Sequence, residues 1–273
     1  MLRRKPPGKL LPSAHAVDRE YRVISALGET NVPVPRTYGL CEDEDVVGTP
    51  FFIMDFLDGQ VYWDHMLPKA SIEERIKIYQ QKNKVLADLH SVDYKKIGLE
   101  TYGKPGNYVA RQLSRWTKQY LASETETIPE MDNLIEWLAE NLPDDDETSI
   151  VHGDYRLDNM IYKNHKVIGV LDWELSTLGH PIADFSYHCL TWRTLPQMSD
   201  LKLLKELGIP SEVEYRDMYS EYTGKDLTKN WEFYMVFNMF KIAAICQGIL
   251  GRVRDGTASS TVSYTHLTLP TKA

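Results

Sequence analysis

From Ile150 to Tyr187 the chain reads IVHGDYRLDNMIYKNHKVIGVLDWELSTLGHPIADFSY, where short apolar runs alternate with turn residues and charged groups and no helical period holds. Such a stretch forms hairpins and loops, and chemistry tends to collect in loops of this kind. Its flanks carry helical spacing. Upstream, Ile76, Tyr79, Val85, Leu86 and Leu89 fall in one stretch, and Leu113, Trp116, Tyr120 and Leu121 in another. Downstream, the helical stretches run from Leu201 to Leu207, Tyr215 to Tyr222 and Trp231 to Leu250. Hairpins set between blocks of helix predict an α+β fold.

The N-terminal part is of mixed character. Ala14 to Leu27 places Val17, Tyr21, Ile24 and Leu27 on one face, with Gly28 as a stop, and predicts an amphipathic helix. Turn residues follow in VPVPRTYG, then an acidic loop at Glu42 to Asp45, then TPFFIMDFLDG, whose run from Phe51 to Phe56 predicts a buried strand. The tail from Gly256, GTASSTVSYTHLTLPTKA, is rich in Ser and Thr and lacks helical periodicity, which predicts disorder. Its abrupt change of composition suggests a non-native reading frame or a spliced end. The division expected is residues 1–57, 58–256 and a tail of 257–273. No internal repeat is found.

Bulk properties narrow the function classes. A chain of 273 residues, 42% hydrophobic, can bury a real core, and a formal charge of -8 argues against a nucleic-acid binder, whose footprint is a basic face. It leaves room for a nucleotide, which needs only a few local cations. Cys41, Cys189 and Cys246 are odd in number and far apart, so neither a disulfide framework nor a zinc ribbon is expected, and an intracellular reducing compartment fits them. Whether that compartment is cytoplasmic, mitochondrial or peroxisomal stays open. The basic start, MLRRKPPGKLLPSAH, has no apolar core for a secretory signal, and its Pro-Pro-Gly would break a matrix-targeting helix. The most apolar stretch, Tyr234 to Leu250, is interrupted by Asn238, Lys241 and Gln247, so it predicts a buried helix of a soluble protein and no membrane span.

Two motifs carry the chemistry: VHGDYRLDN at Val151 to Asn159 and VLDWE at Val170 to Glu174. Asp-x-x-x-x-Asn alone is the mark of a capped turn. The pair, in this order, supplies what phosphoryl transfer asks for, a carboxylate to accept a hydroxyl proton and hard oxygen ligands for a divalent cation. His-Gly-Asp, four residues and Asn resembles the aminoglycoside phosphotransferase and choline kinase-like family, where it replaces the His-Arg-Asp of protein kinases. The resemblance implies a bilobal protein-kinase-like fold, with a truncated N-terminal lobe and a mainly helical C-terminal lobe, and ATP and Mg2+ as cofactors. It makes Asp154 the catalytic base and Asn159 and Asp172 the metal ligands. Trp173 takes the place of the Phe in the kinase Asp-Phe-Gly triplet, while Glu174 departs from its Gly, as is usual in this family. Asp184, in GHPIADFSY, is expected to brace the catalytic loop, with a helix N-cap as the rival role. His152 is expected to brace the loop, Arg156 and Asp158 to be solvated or paired, and His180 and His188 to be core or surface residues.

The resemblance reaches from Leu2 to about Arg254. LRRKPPG looks like the end of the strand bearing the phosphate-binding cation, so Arg3, ahead of Arg4 and Lys5, is expected to pair with Glu20 on the following helix. FFIMDFLDG would be the strand and hinge, with backbone near Asp55 and Phe56 facing an adenine edge and Met54 at the pocket wall. The run RKPPGKLLPSAHAVDREYRVI is especially similar to the phosphotransferase-like domain of large acyl-CoA dehydrogenase family proteins. That implies a small-molecule hydroxyl acceptor, plausibly a hydroxylated acyl metabolite, and fusion to or association with an acyl-CoA dehydrogenase domain. The chain begins at what corresponds to the third strand, and no GxGxxG occurs, which leaves a catalytically silent metabolite- or partner-binding module as the competing reading.

Overall fold

In the computed structural model, which describes residues 1–5, 16–254 and 256, strands of three to five residues are set among helices. In chain order the elements begin with β1 (Leu2–Arg4), α1 (Val17–Leu27), β2 (Thr37–Cys41), α2 (Glu44–Val47), β3 (Phe51–Met54) and α3 (Ile72–Ser91). There follow α4 (Tyr108–Ala122), α5 (Pro129–Glu140), β4 (Ser149–Val151), β5 (Met160–Lys163), β6 (Lys166–Val170) and β7 (Thr177–Gly179). The rest is helical: α6 (Pro181–Cys189), α7 (Thr191–Thr194), α8 (Pro196–Ser199), α9 (Leu201–Leu207), α10 (Glu212–Thr223) and α11 (Trp231–Arg254).

Two compact units emerge from the backbone. The first comprises Met1–Gly106 and Glu147–Lys229. In it β1 and β2 flank β3 in an antiparallel sheet, with Arg3 opposite Phe52. A hairpin joins β5 to β6 through Asn164 and His165, both at positive φ (50° and 64°), the pattern of a two-residue turn whose twist matches its strands. Its register, Met160 opposite Val170, brings the ends of the two sequence motifs side by side. β4 pairs with β7, Val151 opposite Thr177. The long α3 starts at a capping box formed by Ser71 and Glu74, two otherwise orphaned donors satisfied at once. It buries Ile78, Leu86 and Leu89 completely, each worth roughly 1.5–3 kcal/mol on removal from water.

The second unit, built from α4, α5 and α11, is all helical. Trp137 and Phe233 pack with ring centroids 6.0 Å apart, Gln247 donates to the Ser123 carbonyl at 2.9 Å, and Lys241 lies over the Trp116 ring at 5.8 Å. α11 is long and apolar enough to cross a membrane by composition alone. Half of its most apolar window is buried against protein, which is the behaviour of a core helix.

Several expectations shift in detail. The strand expected over Phe51 to Phe56 ends at Met54; the Asp55 amide still donates to the Arg36 carbonyl at 2.9 Å, one residue before β2, and beyond it Phe56 is 74% exposed. The acidic loop is partly the one-turn α2, capped by Asp43 accepting from the Asp45 amide. α5 was not marked by any apolar spacing noted in the sequence; it starts at Pro129, in the position where a missing N–H costs nothing. Ala14 and His15, Pro6 to Gly8 and the tail 257–273 lie outside the described residues.

Candidate active site

The loop after β4 needs a glycine. Gly153 sits at φ +83°, and a Cβ there would stand 2.8 Å from the Leu175 carbonyl oxygen, so both backbone and space exclude a side chain. Two successive amides of this loop, His152 and Gly153, donate to the two carboxylate oxygens of Asp184, each at 2.9 Å. Asp184 lies in the first turn of α6, one turn beyond the capping position held by His180, so it braces the loop and does not cap the helix. Its Oδ2 is also 3.1 Å from His90 Nε2, and His90 Nδ1 is 2.6 Å from the Tyr219 hydroxyl. Burial alone would raise the Asp184 carboxyl; His90, His152 and the loop amides outweigh it and hold the group below the ordinary carboxylate range.

His152 is fully buried and works on the loop from inside. Its Nε2 donates to the Leu171 carbonyl at 3.0 Å while its Nδ1 accepts from the Asp154 amide at 3.3 Å, which fixes a neutral tautomer. Burial lowers its pKa in the same sense, against the pull of Asp184. The ring packs 4.8 Å from the buried indole of Trp173, whose Nε1 donates to Val170.

Leu171 ties the two motifs together. Its amide donates to the Asn159 carbonyl at 2.8 Å and its carbonyl receives His152. Asp172 follows in the left-handed region, φ 64° and ψ 59°, a conformation that costs a non-glycine residue of order 1 kcal/mol or more and collects at functional sites. The Asn159 side-chain amide donates to the Asp154 carbonyl at 2.9 Å and to its Oδ2 at 3.3 Å, leaving the Asn159 Oδ1 as the oxygen open to a cation. The Asp154 carboxyl is shifted up by burial, partly offset by Arg156 and His152.

Across from these loops Arg3 meets Glu20 through two parallel bonds, Nε to Oε2 at 3.2 Å and Nη2 to Oε1 at 3.0 Å. Glu20 is 2% exposed; desolvation pushes its carboxyl up, Arg3 opposes this, and the guanidinium is held charged by the pair. Arg3, Glu20, Met54, Asn159 and Asp172 all line one cleft of about 380 Å³. So do Met1, Ile24, Phe52, Asp158, Leu171 and Glu174. Met1 reaches it by pairing with Met54, its amino group 2.6 Å from the Met54 carbonyl.

Of the residues singled out in the sequence, Asp154 stands beside the cleft through Asn159, whereas Asp55 and Phe56 are not on its lining. The Asp55 carboxylate instead accepts from the Tyr38 hydroxyl at 2.6 Å. Arg156 and Asp158 pair with each other, and His180 and His188 are buried. His90 and Tyr219, which complete the Asp184 brace, carried no sequence signal beyond being polar residues on helical stretches.

The donor set suits a magnesium–nucleotide. Among the described residues no three His, Cys, Asp or Glu side chains form a ready-made cage. Asp172 and Asn159 offer two hard oxygens, the sparse arrangement a cation takes when waters and phosphates supply its other ligands. Four carboxylates face the cleft against the Arg3 guanidinium and the Met1 ammonium, with Asp158 paired to Arg156, and the remaining negative charge is one that a divalent cation would balance.

Comparison with known proteins agrees with this geometry. A family model described as "Phosphotransferase enzyme family" matches residues 1–222. Mouse acyl-CoA dehydrogenase family member 10 is 46% identical over 95% of the chain and 25% of its own length. The human family member 11 is 42% identical over 97% of the chain and 35% of its own length. The chain thus spans between a quarter and about a third of these relatives. A Ralstonia eutropha crystal structure assigned as an aminoglycoside phosphotransferase is 52% identical, covers 97% of this chain and 80% of its own, and superposes with a TM-score of 0.89. The phosphotransferase APH(3'')-Id of Streptomyces rimosus, solved with ADP and streptomycin, is 15% identical, covers 84% of this chain and 83% of its own, and shares the fold at a TM-score of 0.56. The chain is a member of the phosphotransferase enzyme family, with the mixed α+β fold of protein-kinase-like phosphotransferases.

Proposed function

We propose that the chain transfers the γ-phosphoryl group of ATP to a hydroxyl of a small molecule. The observation that carries this is the single cleft onto which Arg3, Glu20, Asn159 and Asp172 all open. In this reading the Arg3 guanidinium orients the nucleotide phosphates and Glu20 orients Arg3. Asp172 and Asn159 Oδ1 hold Mg2+, which when bound neutralises phosphate charge. Asp154, its carboxylate kept in place by the Asn159 amide, accepts the proton of the acceptor hydroxyl. Met54 walls the base side, whereas Asp55 and Phe56, expected at the adenine edge, lie off the lining of the cleft.

The acceptor we propose is a hydroxylated acyl metabolite. The relatives named as acyl-CoA dehydrogenase family members support it, together with a division of labour in which this domain works beside a dehydrogenase domain. Calorimetric titration of ATP, with and without Mg2+, tests the nucleotide part on the wild type and on Asp172→Ala. Binding that needs both the cation and Asp172 is expected. Absence of nucleotide binding, or binding indifferent to Asp172, would overturn the proposal in favour of a silent binding module.

A further inference from the structure

The helix that carries Glu20 is fastened on a second side. One residue earlier on α1, and so about 100° round the helix, Arg19 donates through Nη2 to the Tyr102 carbonyl at 3.0 Å and the Ser176 carbonyl at 3.4 Å. Its guanidinium lies 4.4 Å from the centroid of the Tyr102 ring. Nearly one turn further on, Arg22 donates to the Gly98 carbonyl at 3.0 Å and to the Thr101 hydroxyl at 2.7 Å. Two arginines of α1 thus grip the stretch from Gly98 to Tyr102, and all of these groups belong to the first compact unit.

Tyr102 carries that grip to the turn holding Asp172. It is 1% exposed, and burial pushes its hydroxyl pKa up, which keeps it a donor. The Ser176 hydroxyl spends its proton on the Trp173 carbonyl and offers only lone pairs to the Tyr102 hydroxyl, 2.6 Å away. The Ser176 amide donates to the same Trp173 carbonyl at 3.1 Å. Trp173 follows Asp172, so these bonds close the turn that keeps Asp172 at positive φ. Gly103 permits the close approach: a Cβ there would stand 2.4 Å from Thr177 Oγ1 and 2.6 Å from the Leu178 amide nitrogen. Arg19, Tyr102 and Ser176 are not on the lining of the cleft, and they reach it through Glu20, next to Arg19, and Asp172, ahead of Ser176.

We propose that Arg19, Tyr102 and Ser176 are positioning residues, a clasp that sets the Arg3–Glu20 pair at a fixed place relative to Asp172. A Mg-nucleotide bridges a phosphate-binding cation and a metal-binding carboxylate at one matched spacing. Here the cation is paired to α1 and the carboxylate stands on the turn closed by Ser176, so the clasp joins the two mounts. The use of this spacing for Mg-ATP rests on the phosphotransferase reading. The action of Arg19 on Arg3 through α1 does not, and can be measured without nucleotide.

The nucleotide-free readout is the solvent exchange of the Arg3 Nε proton, followed by heteronuclear NMR and slowed in the wild type by its bond to Glu20. Arg19→Met is expected to speed this exchange by roughly fivefold or more and to weaken Mg-ATP, titrated calorimetrically, by a similar factor. Arg19→Lys keeps a charge over the Tyr102 ring and recovers part of both. Tyr102→Phe removes only the hydroxyl bonded to Ser176; it stands in should Arg19→Met not fold, and it should move both readouts in the same direction by roughly twofold or more. In an Arg3→Met background, Arg19→Met should add less than about a twofold loss of Mg-ATP affinity, because its effect runs through Arg3, whereas a merely loosened fold would weaken both backgrounds alike. Arg3 exchange unmoved by the clasp variants overturns the proposal. So do equal losses of affinity with and without Arg3, or exchange that responds while Mg-ATP affinity stays at the wild-type value. A wild type that binds no Mg-ATP, but whose Arg3 proton answers to the clasp variants, would sink the kinase reading alone and leave the clasp standing.

Discussion

The carboxylate of Asp184 stands 3.1 Å from His90 Nε2 across 94 residues of chain, and the same carboxylate holds the amides of His152 and Gly153. One buried acid therefore fixes the end of α3, the start of α6 and the first two residues of the loop after β4. Asp184→Asn turns an NH2 toward one of those amides and is expected to cost roughly 3 kcal/mol, read by urea unfolding.

The same group sets part of the acid limb of stability. Its folded pKa is depressed, so its contribution is fully present above the unfolded value near 3.8 and is lost as pH falls through the lower folded value. Unfolding free energy of the wild type should drop more steeply below about pH 4 than that of Asp184→Asn, measured by denaturant titration across the pH range.

Asp154 has the opposite sign. Burial raises its pKa, so the folded state favours the protonated form, and ionisation as pH rises through the folded value removes stability. Asp154→Asn is expected to melt no lower than the wild type at neutral pH. It should lower kcat by about 100- to 10,000-fold and leave the KM for ATP within about twofold. A kcat loss shared with a large rise in the ATP KM would place Asp154 in nucleotide binding instead.

Gly153→Ala should destabilise by roughly 1–3 kcal/mol, since it meets both a positive φ and the Leu175 carbonyl. Thermal unfolding checks it, and activity should fall with the displaced loop.

Arg3→Met leaves the buried Glu20 without its two donors. The expected result is an ATP KM raised by about tenfold with a smaller change in kcat, from steady-state kinetics over a nucleotide series. Arg3→Lys should recover only part of the loss, because an ammonium keeps the charge but lacks the planar fork that meets both Glu20 oxygens through parallel bonds.

Much of this site was legible because its residues are close in sequence. Asp154 and Asn159 are five apart, and the Asn-His turn that returns β6 beside β5 is local, so the order of motifs implied their meeting. The resemblance, not the spacing, pointed to Arg3 and Glu20. What stayed hidden depends on long-range packing: His90 and Tyr219 reach Asp184 over 94 and, through His90, 129 residues. The strand overran to Phe56 because Phe51 to Phe56 is apolar throughout but for Asp55, and only the exposure of Phe56, past the last rung between Asp55 and Arg36, shows where the sheet stops.

Leu171 hangs by its amide from the carbonyl of Asn159 and by its own carbonyl from His152, so the two proposed cation ligands are mounted on one bracket. The gap between Asn159 and Asp172 is thereby set by main-chain bonds within one segment, independently of where Arg3 stands. A nucleotide could come and go while its metal perch keeps its shape, and turnover would be spared the cost of rebuilding the perch in every cycle.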